Sequence, residues 1–131
     1  MRRLAVSFAL VLSLLVPATA SAVNEHCTID ISPTVGSPTD VYQIAVHNVP
    51  VDPDGLSIEL RTDIRRLGSR EGSIIFAFLV PGTTEVVIEY NRSWPGEDPL
   101  PPLAEGRYLV TVSTPHLHGA CRATGSFVVE A

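Results

Sequence analysis

What most limits the folds open to this chain is its rhythm: short runs of alternating or β-branched residues, each cut off by proline or glycine. The chain carries 11 prolines and 9 glycines, and no stretch between them sustains the three- and four-residue apolar spacing of an amphipathic helix. Cys27 to Ser32 alternates Ile29 and Ile31 with Thr28 and Asp30, and Pro33, Gly36 and Pro38 stop it. Val41 to Val49 sets Tyr42, Ile44 and Val46 against Gln43 and His47, and Leu56 to Thr62 sets Leu56, Ile58 and Leu60 against Ser57, Glu59 and Arg61. Such alternation describes strands with one wet face. Asp63 to Gly72 reads as a polar connection, and the almost wholly apolar Ser73 to Val80 as a central strand. Across Pro81-Gly82 it reads as a hairpin with Thr84 to Tyr90. A proline-rich irregular segment, Asn91 to Glu105, precedes two last runs, Arg107 to Ser113 and Arg122 to Glu130. The expectation is an all-β sandwich of about seven strands in two packed sheets.

Residues 1–22 stand outside this pattern. Arg2 and Arg3, an uncharged apolar run from Leu4 to Val16, Pro17, and the small residues Ala20-Ser21-Ala22 form the head, core and cleavage site of an export signal. The apolar run is shorter than the ~18 to 20 residues that span a bilayer. The arginine pair lacks the flanking residues of a twin-arginine signal, and Val23-Asn24-Glu25-His26 before Cys27 is not the context of a lipid-modified cysteine. The expectation is a signal peptide over 1–22 and one domain over 23–131, released as a secreted or periplasmic monomer with no membrane span in the mature chain. A chain of that length suits a single core.

Past residue 22 there are seven arginines, fourteen carboxylates and no lysine, a formal charge of −7. An acidic chain of this kind is a poor nucleic-acid binder. The only cysteines, Cys27 and Cys121, lie near opposite ends of the exported part. In an oxidising compartment they most simply form one disulfide, the alternative being two buried thiols.

Candidate sites are few. His116 and His118 form an H-x-H pair that points one way on an extended segment, and a Cys27–Cys121 bond would carry His26, with Glu25, to the same end. Three imidazoles there would suit copper or zinc; otherwise no cofactor is expected. Arg61, Arg65, Arg66 and Arg70 gather most of the mature chain's arginines into ten residues, either a patch for an anionic partner or a solvated run paired with Asp63 and Glu71. Trp94, among Pro95, Pro99, Pro101 and Pro102, is either an exposed anchor or a lid on the core. Asp52-Pro53-Asp54-Gly55 lacks the further ligands of a calcium loop and reads as a turn. Asn91-Arg92-Ser93 fits a glycosylation acceptor. No nucleophile-elbow, metalloprotease or phosphate-loop motif is present.

Glu105-Gly106-Arg107-Tyr108-Leu109-Val110 resembles the start of the sixth strand of immunoglobulin-like domains, and Gly125-Ser126-Phe127-Val128-Val129 is similar to the last strand of secreted bacterial domains of this kind. The resemblance implies an immunoglobulin-like sandwich in which Tyr108 forms a corner by bonding back to the backbone. It also implies that the first and last strands run parallel as neighbours, so that Cys27 and Cys121 meet at one end. The antibody-type pattern is not followed: Val110 stands where a core cysteine would, and Trp94 lies in a loop.

From this the expected function is a secreted, non-enzymatic binding or structural module for an unknown protein or surface polymer. Two alternatives accompany it: a small extracytoplasmic copper or zinc carrier using the histidines, and an inhibitor of a secreted hydrolase acting through the loop around Trp94.

Overall fold

The structure, a computed structural model, describes residues 27–116 and 121–131; the signal peptide, His26 and His118 lie outside the described residues. Eight strands follow one another without a helix among the described residues: β1 (Thr28–Ser32), β2 (Val35–Gly36), β3 (Tyr42–His47), β4 (Ile58–Arg66), β5 (Gly72–Leu79), β6 (Val86–Tyr90), β7 (Gly106–Ser113) and β8 (Arg122–Val129). They form two sheets, one ordered β1-β3-β6 and one ordered β2-β8-β7-β4-β5. The result is an all-β, immunoglobulin-like sandwich. Its inward alternate residues make one core, in which Tyr42, Ile44, Val46, Leu60, Ile64, Val110, Val112, Phe127 and Val129 are almost fully buried. Each large apolar side chain so buried favours folding by roughly 1.5–3 kcal/mol. Phe127 is stacked between Tyr42 and Tyr108, with ring centroids 4.2 and 5.0 Å away.

The pairings depart from the sequence-based expectation in three ways. First, the opening run is split. β1 pairs antiparallel with β3 in the small sheet, and the chain then crosses Pro33 so that β2 runs parallel to β8 in the large one. β2 is the eighth strand, too short to stand out between Pro33 and Pro38. The Cys27–Cys121 disulfide therefore bridges the two sheets at their common end and does not tie hydrogen-bonded neighbours.

Second, β4 continues through the expected polar connection to Arg66. Thr62 is fully buried between Leu60 and Ile64, so inward alternation persists while Arg61, Asp63 and Arg65 point outward. The hydroxyl of Thr62 has no hydrogen-bond partner among the described residues.

Third, Ser73 to Val80 is not a central strand. β5 forms its hairpin with β4, over the register Ile58↔Leu79 to Arg65↔Gly72, and ends the sheet. The Pro81-Gly82 turn leads instead to the other sheet, where β6 pairs with β3. Ile75, Ala77 and Leu79 face the core, while Ile74, Phe76 and Phe78 face solvent. An apolar run signals a strand buried on both faces only when something covers both.

Candidate functional site

The outer face of the five-stranded sheet gathers side chains from four strands that sequence distance keeps apart. In register, Phe76 lies beside Arg61, Arg61 beside Ser113, and Ser113 beside Arg122. The next row runs Ile74, Asp63, Thr111, Thr124, and the one after it Gly72, Arg65, Leu109, Ser126. Arg107 extends the face beyond Leu109, opposite Val128. Four of the seven arginines past residue 22 (Arg61, Arg65, Arg107, Arg122) thus share a face to which the paired strands themselves contribute two carboxylates, Glu59 and Asp63. Neighbouring strands are ~4.8 Å apart and a four-residue step along one covers ~13 Å, so these cations are spread across the sheet face.

Arg61 is held by Asp63 on its own strand, Nε donating to Oδ2 at 3.0 Å and Nη2 to Oδ1 at 3.1 Å. Among the described residues Arg65, Arg107 and Arg122 have no carboxylate within ion-pair distance. The opposite face, on the three-stranded sheet, is acidic: Asp30 and Glu85 flank His47 at 3.3 and 3.2 Å, and Glu89 pairs with Arg92.

The four-arginine cluster expected from the sequence does not stay together. Arg61 and Arg65 point outward, and Arg66, one residue on, points inward. Its stem runs along Gly106, and its Nε is buried without a partner among the described residues. Arg70 is exposed in the β4–β5 turn. The residues that replace them, Arg107 and Arg122, were readable only in part: Arg107, Leu109 and Thr111 alternate with Tyr108, Val110 and Val112, but nothing local says which strand β7 lies against.

The hydroxyl of Tyr108 donates to the Ala104 carbonyl at 2.7 Å, a bond back to the backbone four residues upstream that closes the corner before β7. Burial, and after it the neighbouring Tyr90, pushes its phenol above the ordinary tyrosine range. Trp94 is no lid: it is exposed, with the Arg92 guanidinium 5.7 Å from its ring centre. The Asn91 amide is engaged, donating to the carbonyls of Pro38 and Asp40 at 3.1 and 3.0 Å. Asp52 caps its own turn by accepting from the Asp54 amide at 2.6 Å. His116 meets a carboxylate not foreseen for it, Glu59, with Nε2 2.8 Å from Oε2, beside a cleft of about 430 Å³ that Leu56 and Phe78 also line. Among the described residues no three histidine, cysteine or acidic side chains converge as metal ligands do; His26 and His118 lie outside them. No helix of the described residues is long and apolar enough to cross a membrane.

No family model matches this chain, and no curated protein sequence does. Solved structures do match in fold. A superoxide reductase (neelaredoxin) from Ignicoccus hospitalis aligns with 14% identity over 85% of this chain and 85% of its own, at a TM-score of 0.51. Another form of the same protein gives 10% identity over 84% and 82%, at 0.50. A CARDB domain from Pyrococcus furiosus, solved in complex with di-metal ions, gives 18% identity over 79% and 89%, at 0.41. At these identities the likeness is one of fold, that of all-β immunoglobulin-like sandwiches.

It nevertheless overturns one expectation. The expectation of a non-enzymatic module rests on the analogy that small sandwiches of this type serve as binding modules, yet the matching structures at TM-scores of 0.50 and 0.51 are superoxide reductases. The same scaffold carries catalysis elsewhere, since activity resides in side chains placed on a fold and not in the fold. The exclusion is withdrawn.

Proposed function

We propose that this chain is an exported binding module that recognises an anionic surface polymer with the outer face of its five-stranded sheet. The observation that carries the reading is the set of arginines Arg61, Arg65, Arg107 and Arg122 on one face of a chain whose formal charge past residue 22 is −7. Cations gathered on one face of an otherwise acidic chain make a local positive potential that an anionic partner can meet. Ser113, Thr111, Thr124 and Ser126 between and beside them add hydroxyls suited to a hydrated polymer. Export is supported by the disulfide, which an oxidising compartment allows, and by the signal-like residues 1–22. The test uses dextran sulfate as the polyanion and neutral dextran as control. Saturable, salt-sensitive binding to the first alone is expected, weakened about fivefold to tenfold in the Arg65→Ala, Arg122→Ala double variant. Equal binding to both dextrans, or no loss in the variant, would end the reading.

One observation favours a second reading, a copper or zinc site at the end of the sandwich: Glu59 stands 2.8 Å from His116, and Thr114 is hydrogen-bonded to Cys121, whose disulfide brings the chain next to His26 to that end. Calorimetry with each metal, on the wild type and on His116→Ala and His118→Ala, tests it; no saturable uptake would dismiss it.

A further inference from the structure

We propose that β5 is an interface on which a second copy of this chain adds, strand to strand and antiparallel, joining two five-stranded sheets into one of ten strands. Free sheet edges invite such pairing, and proteins blunt them with brevity, charge or proline. Each of the other terminal strands is blunted. β2 has two residues and sits between Pro33 and Pro38. β1 has five, points Asp30 outward and stops at Pro33. β6 has five, carries Glu89 and follows Glu85. β5 has eight residues, no charge and no proline, and among the described residues pairs only with β4.

Its solvent-facing row is apolar, and Val80 just past its end continues it: Ile74 and Phe76 are each 52% exposed, Phe78 72% and Val80 70%. With whole aromatic side chains offering ~150–250 Å² and aliphatic ones somewhat less, the row exposes roughly 400 Å². Pairing the two edges sets these two exposed apolar rows side by side and covers the part of each that faces the other copy, together with the backbone edge.

The pattern selects a second copy over a foreign strand because it matches itself. About a two-fold axis beside Ala77, Ile74 falls opposite Val80 of the second copy and Phe76 opposite Phe78. All four apolar positions of each copy then find an apolar partner, and no charge enters the seam. Cross-strand aromatic and β-branched pairs are the favourable units of a sheet, and an isologous contact closes on itself without growing into a fibre. The inference is independent of the dextran sulfate reading in its residues, since none of the four arginines lies on β5. It extends that reading, because the joined sheet would present two arginine faces side by side.

Sedimentation velocity on the full chain recovered from the export fraction, from low to high micromolar concentration, tests it. The wild type should be dimeric. Phe78→Lys should weaken association about tenfold or more by placing a charge in the seam, while Val87→Lys, exposed on the other sheet, should leave the dimer intact. Amide exchange in the wild type gives a readout that needs no variant: protection along β5 should rise with concentration. A wild type that sediments as a monomer throughout overturns the proposal, and so does a dimer that Phe78→Lys leaves unchanged. Wild-type dimers that bind dextran sulfate no better than neutral dextran, or no better than Arg65→Ala, Arg122→Ala does, would sink only the polymer reading; monomers that still bind dextran sulfate would sink only this one.

Discussion

At one edge of the five-stranded sheet, β2 contributes two residues tied down by hydrogen bonds; at the other, β5 contributes eight with no strand beyond them among the described residues. The β2 edge is held by backbone bonds from Val128 to Thr34 and from Glu130 to Gly36, each 2.8 Å. Asp40 accepts from the Ser37 amide at 2.7 Å, and the Tyr42 hydroxyl donates to the Ser37 carbonyl at 2.8 Å. The Cys27–Cys121 bond fastens the two sheets at the other end of β8, the strand that β2 pairs with. None of these devices recurs at β5, whose outer row is apolar and exposed. One edge spends its residues on closure and the other leaves them available for contact, which is why stability and association should respond to different substitutions.

The sharpest way to break this comparison is to open the closed side. Replacing both Cys27 and Cys121 by Ala frees a loop of sequence separation 94 and should cost ~4–5 kcal/mol in the chain-entropy picture. Urea unfolding of the variant measures it, and a loss below about 1 kcal/mol would mean that the closed side holds without its staple.

Next in size is Gly36→Ala. A Cβ there would stand 2.7 Å from the Tyr42 hydroxyl oxygen, 2.8 Å from Asp40 Oδ2 and 3.0 Å from Pro33 Cγ, and the first two atoms are already committed to Ser37. With neighbours that cannot simply swing away, the expected loss is about 1–3 kcal/mol in the same urea assay. A neutral result would show that the β2 edge is looser than its hydrogen bonds indicate.

Alkaline pH reaches the closed side without a mutation. The phenol of Tyr42 is pushed up by burial first and by Asp40 and Tyr108 after it, and that of Tyr108 by burial and then Tyr90. The folded state therefore binds these protons more tightly than the unfolded chain, so their contribution is complete below the ordinary tyrosine value of about 10 and is lost as pH rises through the higher folded values. A tyrosinate at position 42 also has no proton to give Ser37. Urea midpoints should fall above about pH 10, less steeply in Tyr42→Phe. Identical slopes in wild type and variant would remove Tyr42 from the account.

The strands were legible where sequence carries its own evidence. Inward alternation in β3, β4 and β7 follows from residue type alone, and the cysteine pair implied its bond. What was not legible is pairing. Thr62 resembles a polar residue at the end of a strand until Ile64 is seen buried on the same face. The apolar stretch of β5 is the same string of letters whether the strand is central or at the edge, because coverage is a property of neighbours. The arginine face shows the same limit: Arg66 belonged to the cluster by spacing and leaves it by parity, while Arg122 joins from some sixty residues away through the pairing of β8 with β7 and of β7 with β4.

The smallest expected effect is the one that most directly separates the two edges. Phe78→Thr removes an aromatic ring that is 72% exposed and puts a strand-favouring β-branched residue in its place. If the outer row of β5 contributes to contact and not to the core, the isolated monomer should change in stability by less than about 0.5 kcal/mol. Dimerisation stabilises the folded chain by mass action, so the wild-type urea midpoint should climb with protein concentration while that of Phe78→Thr climbs far less. Measured at the lowest concentration, the two midpoints should converge. A variant that unfolds earlier even there, by 1 kcal/mol or more, would mean that Phe78 packs within its own chain, and the contrast between a closed and an open edge would lose its clearest residue.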